Sequence, residues 1–228
     1  MKRMICLILS VLLIATLAFA MASCKGSAAY WQEQTQESKG EDAQIATVNG
    51  SAKYIVYAAL DEDGALIAAT DDETEAAAYA VVGYTGLVAE LIVPDTYTDT
   101  SIYEAEEGDD HSLPVTKVLA ATPSHTAYKC SMNGAAYSGD DPRLQNNSVV
   151  RSIAFGENVV YVGSGVCMGM TNLVTLTFAS TTEVEIGTSA FAATPALFDV
   201  SFDCLQENVT LNGNFSSIAR WIVYATDV

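Results

Sequence analysis

From residue 149 to residue 226 the apolar positions of the chain return every 24 residues. Leu173, Leu176 and Phe178 come back as Leu197, Val200 and Phe202 and, more loosely, as Trp221, Tyr224 and Thr226. Between these sets lie Val184, Ile186, Gly187, Ala190 and Phe191, which follow Val162, Gly163, Val166 and Cys167 of the preceding unit; Phe215 answers Phe191. Leu-x-x-Leu-x-Phe ends on apolar residues two apart, as one face of a short strand requires, and Gly-x-x-Ala-Phe breaks the alternation with a turn. A fixed short period means that each unit is too small to bury its own apolar face and must stack on its neighbours. The competing reading is a chance similarity among Val- and Thr-rich strands of an ordinary sandwich. Phe191 is expected between successive turns, and Trp221 to Tyr224 as the closing strand.

Upstream the pattern predicts further strands at Tyr54 to Leu60, Ala65 to Thr70, Ala77 to Tyr84 and Leu87 to Val93. Asp61-Glu62-Asp63-Gly64 separates the first two, and Asp-Gly supplies the positive φ of a tight hairpin turn. Residues 45–105 therefore read as a β-rich N-terminal cap, and 106–228 as a repeat array interrupted by an irregular insertion at 120–147. The fold class expected is mainly β, with a short solenoid of period about 24 and little helix.

At these residues the chain resembles a known family. The segments FGENVVYVGSGVCMGMTNLVTLTF and FASTTEVEIGTSAFAATPALFDVSF are similar to the BspA-like leucine-rich repeats of bacterial surface proteins. Units of that family read roughly as Leu-x-x-Val-x-Ile-Pro, Ser-Val-x-x-Ile-Gly, x-x-Ala-Phe, x-x-Cys. GYTGLVAELIVPDTYTD followed by LPVTKV resembles the opening of such an array, with Leu91, Val93 and Pro94 on the strand and Val115 and Val118 on the Val-x-x-Ile step. Cys167 stands where Phe191 stands, and Met170 and Thr194 replace the family's usual cysteine. The resemblance implies a leucine-rich-repeat solenoid with a role in cell-surface adhesion or protein recognition.

The N-terminus predicts a location outside the cytoplasm. Lys2 and Arg3 precede an apolar run from Ile5 to Met21, the charged start and hydrophobic middle of a secretory signal. The run also reaches the lower length limit of a membrane span. Met21-Ala22-Ser23-Cys24 resembles a bacterial lipobox and favours cleavage, with Cys24 the lipidated first mature residue. Residues 1–23 then form the signal peptide, and 24–44, polar and rich in Gln and Glu, a flexible tether. No Asp follows Cys24 at once, unlike an inner-membrane retention signal. The expected location is extracytoplasmic and lipid-anchored, at the outer membrane or surface of a bacterium.

Charge narrows the partners. The chain carries 10 Lys and Arg against 28 Asp and Glu, a formal net charge of −18. Loss of Lys2 and Arg3 with the signal makes the mature chain more acidic still. Such a surface repels nucleic acid and anionic lipid headgroups, so no nucleic-acid partner is expected and membrane contact runs through the lipid anchor only.

Catalytic chemistry finds no foothold. His111 and His125 lack metal-ligand spacing, and Gly163-Ser164-Gly165 belongs to a repeat turn. The acidic groups around Asp61, Asp71, Glu104 to Asp110 and Asp140 lack the ligand spacing of an EF-hand. No enzyme activity, metal or cofactor is expected. After Cys6 and Cys24, three cysteines remain, Cys130, Cys167 and Cys204, enough for one disulfide at most.

Tyr97, Tyr103, Tyr128 and Tyr137 fall in irregular stretches, where loops carry function and tyrosines favour interfaces. They are the candidate binding residues, unless they simply pack the insertion onto the array. The expected partner is a protein on host, matrix or neighbouring cells. A glycan-capturing accessory lipoprotein of the outer membrane, with tyrosines stacking on sugar rings, and a structural envelope spacer are the alternatives.

Overall fold

A computed structural model describes residues 51–100, 112–120, 127–139, 143–213 and 221–226. All of them belong to one compact unit spanning 48–228. Helix among them is limited to a 3-10 turn, Gln206–Asn208, and residues 51 and 52. Fourteen strands carry the rest of the regular structure: β1 (Ile55–Leu60), β2 (Ala78–Tyr84), β3 (Glu90–Val93), β4 (Thr96–Tyr97), β5 (Leu113–Val118), β6 (Cys130–Met132), β7 (Ala135–Ala136), β8 (Ser152–Phe155), β9 (Tyr161–Val162), β10 (Thr175–Phe178), β11 (Val184–Ile186), β12 (Asp199–Phe202), β13 (Val209–Leu211) and β14 (Trp221–Tyr224).

The strands form two sheets. One runs in the order β14-β12-β10-β8-β3, with every pair parallel. The other runs β13-β11-β9-β5-β2-β1-β6-β7, with β4 paired to β5 off that path. From β8 onward the chain alternates between the two, one strand to each in turn. Ser152, Thr175, Asp199 and Trp221 share one rung, so strands of the first sheet recur after 23, 24 and 22 residues. In the second sheet Tyr161, Glu185 and Thr210 share a rung.

Alternation within each strand sends apolar residues into the shared core. Leu91, Ile153, Leu176 and Val200 line up on one inner row, and Val93, Phe155, Phe178 and Phe202 on the next; all are 2 % exposed or less. The aromatic row stacks from strand to strand, with ring centroids 4.6 Å apart for Phe155–Phe178, 4.7 Å for Phe178–Phe202 and 5.3 Å for Phe202–Tyr224. Val118, Val162 and Ile186 close the core from the second sheet.

The last rung differs from the expected alignment. Trp221 pairs with Asp199, Ile222 with Val200 and Tyr224 with Phe202. The chain between Phe202 and Tyr224 is two residues short of the 24-residue period, so Tyr224 takes the Phe position and Trp221 moves to the outer face, 63 % exposed.

The turns repeat as faithfully as the strands. Gly165 and Ser189 both have positive φ (67° and 58°), as do Asn146, Gly169 and Ala193 (61°, 77° and 55°). Layers are tied by backbone bonds: the amides of Gly165, Cys167 and Gly169 donate to the carbonyls of Thr188, Ala190 and Ala192. Leu144, buried like Cys167 and Phe191, precedes the Asn146 turn, and Asn147 Oδ1 accepts from the amides of Val149 and Val150. A turn of the repeating kind thus already stands at the end of the stretch read as an irregular insertion.

At the other end, β1 is buried along its whole length, as its unbroken Ile-Val-Tyr-Ala-Ala-Leu run requires of a strand covered on both faces. One face joins the main core. The other packs Val56, Ala58 and Leu60 against Ala80, Val82, Cys130 and Tyr137. Residues 65–70 do not form the expected second strand of a hairpin. The turn is present, with Gly64 at φ 73° and Asp61 Oδ1 accepting from the Ala65 amide at 2.8 Å. β1 already has β2 on one edge and β6 on the other, which leaves the returning segment only single bridges, Leu60 to Leu66 and Ala68 to Tyr128.

Candidate binding surfaces

The outer face of the five-stranded sheet follows directly from the alternation that built the core. Glu90, Ser152, Thr175, Asp199 and Trp221 form one cross-strand row, and Ile92, Ala154, Thr177, Ser201 and Val223 the next. The positions on β8, β10 and β12 are half-buried Ser, Thr and Ala apart from the exposed Asp199, and the β14 end is apolar and open, with Val223 58 % exposed. Small side chains leave such a face flat and its backbone approachable.

At the β3 end this face runs into a groove of about 880 Å³. Its lining includes Ile92 and Ala154 of the sheet together with Lys53, Thr98, Thr100 and Asn133. β4 supplies the aromatic residue. Its antiparallel pairing with β5, Thr96 to Pro114 and Tyr97 to Leu113, turns the chain back after β3 and lays Tyr97 on Tyr57. Their ring centroids are 3.8 Å apart and nearly parallel, and Tyr79 meets Tyr97 edge-on at 5.0 Å. The Tyr97 hydroxyl accepts from the Gly134 amide at 2.9 Å, and Thr100 Oγ1 donates to the Gly134 carbonyl at 2.5 Å. Asn133 and Gly134, at φ 52° and 73°, make the two-residue turn joining β6 to β7, the conformation for which Asn-Gly is the preferred pair. Asp95 ties the lining to the chain after β8: its Oδ1 accepts from the Glu157 amide at 2.5 Å, and its carbonyl accepts from Asn158 Nδ2 at 3.0 Å.

The tyrosines of the groove are neutral. Burial pushes the Tyr57 hydroxyl far above its ordinary value, with the neighbouring Tyr97 adding to the shift, and burial likewise raises Tyr97. The Tyr57 hydroxyl is enclosed, and among the described residues it has no hydrogen-bond partner. Among the described residues the groove offers hydroxyls, amides and the charges of Lys53 and Asp95. All three described cysteines are free and buried; Cys167 is pushed up to about 12 and Cys130 to about 11 by desolvation.

The three described candidate tyrosines do not converge: of these, Tyr97 lines the groove. Tyr128 is half-buried and Tyr137 is 8 % exposed, both packed in the second apolar cluster against β1 and β2. Tyr103 and the expected lipidation residue Cys24 lie outside the described residues. The hairpin that anchors Tyr97 escaped the sequence reading, although Asn133-Gly134 between Cys-Ser-Met and Ala-Ala-Tyr carried its signal.

No family model matches the chain, and no curated protein matches it. Among solved structures it is similar to a leucine-rich cell surface protein from Faecalibacterium prausnitzii, with 16 % identity and a TM-score of 0.36 over 55 % of this chain. The chain spans 29 % of that protein's length. A likeness this loose assigns neither fold nor role.

Proposed function

We propose that the chain is a lipid-anchored, extracytoplasmic binding protein whose two strand rows are the coils of a short leucine-rich-repeat solenoid, and that it acts in adhesion or protein recognition. One observation carries this reading: parallel strands in register present a broad outer face, built of small residues on β8 and β10, that continues into the groove beside Tyr97. A broad, preordered face suits association with a macromolecule, because little backbone entropy is lost on binding. The lipobox-like Met21-Ala22-Ser23-Cys24 and the polar stretch that follows supply the anchor and leash. Two or more acyl chains hold a protein durably where one holds it only reversibly.

Intact cells treated with protease test display, and attachment of the same cells to mucin- or collagen-coated surfaces tests binding. Release of fragments from residues 45–228, together with loss of attachment in the Thr177→Arg variant, is the expected outcome. Full protection from protease, or attachment unchanged when the chain is deleted, overturns the reading.

A further inference from the structure

The second sheet carries a separate cavity on its outer side. Lys117, Tyr161, Glu185 and Thr210 stand on one rung of β5, β9, β11 and β13. At the usual spacing of about 4.8 Å between strands, that row is roughly 14 Å long. Together with Glu183 and Asn208 these residues line a cavity of about 410 Å³. Their inner neighbours Val118, Val162 and Ile186 are fully buried, so the row is carried on the rigid core and not on a loop. Two of its polar groups are already held in place: Lys117 Nζ donates to the Gly64 carbonyl at 2.7 Å, and Asn212 Nδ2 to Glu185 Oε1 at 3.4 Å.

We propose that this cavity is a saccharide site in which a neutral sugar ring stacks on Tyr161 and its hydroxyls bond to Lys117, Glu183, Glu185 and Asn208. The donor set argues for that class of ligand. An ammonium only donates and a carboxylate only accepts, so a ligand that satisfies both must itself do both, as hydroxyl groups do. A simple anion would face two glutamates, and a simple cation would face Lys117. An aromatic ring between such groups supplies the apolar platform that the C–H face of a pyranose covers. The length of the row suits a short oligosaccharide more than a single sugar. The proposal rests on the binding reading above but uses the other sheet, so the two can fail separately.

Titration calorimetry on the full-length chain, kept in a detergent without a sugar headgroup, tests it. The probes are maltotetraose, cellotetraose, xylotetraose and chitotetraose, with trigalacturonate and spermine as charged comparisons. At least one neutral tetrasaccharide is expected to bind saturably. Tyr161→Phe should keep that affinity within about threefold and Tyr161→Ala should weaken it by about tenfold or more, since the ring face and not the hydroxyl is the platform. Glu185→Gln should weaken it as well. Heat from none of the neutral probes, binding only of a charged one, or binding that Tyr161→Ala leaves intact but Tyr97→Ala removes would each overturn the proposal. Attachment of cells carrying the unsubstituted chain tells the two readings apart: attachment retained while that chain binds none of the neutral probes sinks the sugar site alone.

Discussion

At the scale of single residues, burial decides what each aromatic contributes. Phe191 is fully buried among the stacked turns, and truncation to Ala removes a large apolar side chain from a site whose walls are the neighbouring layers. Urea denaturation of Phe191→Ala should show a loss of about 3–5 kcal/mol. Tyr57 runs the other way. Its ring fills the core beside Tyr97, while its enclosed hydroxyl has no partner among the described residues. A buried polar group without a bond costs about 1–3 kcal/mol, and an apolar replacement of the same shape recovers part of it. Tyr57→Phe should therefore raise stability by about 1 kcal/mol; a loss of that size would show that the hydroxyl is bonded after all. The Cys167 position in the Phe191 register shows how much volume variation the column accepts, because Leu144 occupies the turn before it.

At the scale of elements, backbone conformation sets the limits. Ser189 and Ala193 hold the left-handed conformation that Gly165 and Gly169 adopt in the preceding layer. That conformation costs an L-residue about 1–2 kcal/mol, more than the extra entropy of about 0.4–1 kcal/mol that a glycine loses on folding. Ala193→Gly should thus stabilise by up to about 1 kcal/mol. Gly187→Ala should do the reverse, because a Cβ there would lie 2.6 Å from the Ser164 amide nitrogen and 2.9 Å from the Gly163 carbonyl carbon. Backbone cannot move aside as a flexible side chain can, so thermal melts should show a loss of about 1–3 kcal/mol or more. Strands whose burial follows from composition were legible in the sequence: the unbroken apolar run of β1, and the Leu-x-Phe and Val-x-Phe ends of β10 and β12. Features that depend on a partner were not. Residues 65–70 have strand-like composition, but both edges of β1 were taken elsewhere. The tail register depended on a spacing from Phe202 to Tyr224 two residues short of the repeat. Tyr97, flagged only as an aromatic in an irregular stretch, became part of a groove through the pairing of β4 with β5, and Tyr161 drew no notice because its row exists only once four strands separated by up to 93 positions align.

At the scale of the whole molecule, the same enclosure that keeps the core dry makes stability fall in alkali. Burial raises the thiols of Cys167, Cys130 and Cys204 and the hydroxyls of Tyr57 and Tyr97. Each group holds its proton more tightly when folded than when unfolded. Above the ordinary value the unfolded chain has given up protons that the folded chain still binds, so raising the pH favours unfolding. For Cys167 the effect begins near its ordinary value of 9.0 and continues to about 12; the tyrosines join near 10.0. Melting temperature should be flat on this account below pH 9 and drop steadily from there to pH 11. Cys167→Val should flatten the early part of the drop, between pH 9 and 10, where the tyrosines contribute least. A drop of equal slope in that variant would mean that the Cys167 thiol reaches water in the folded chain, and that the layers around it are less closed than the stacked turns require.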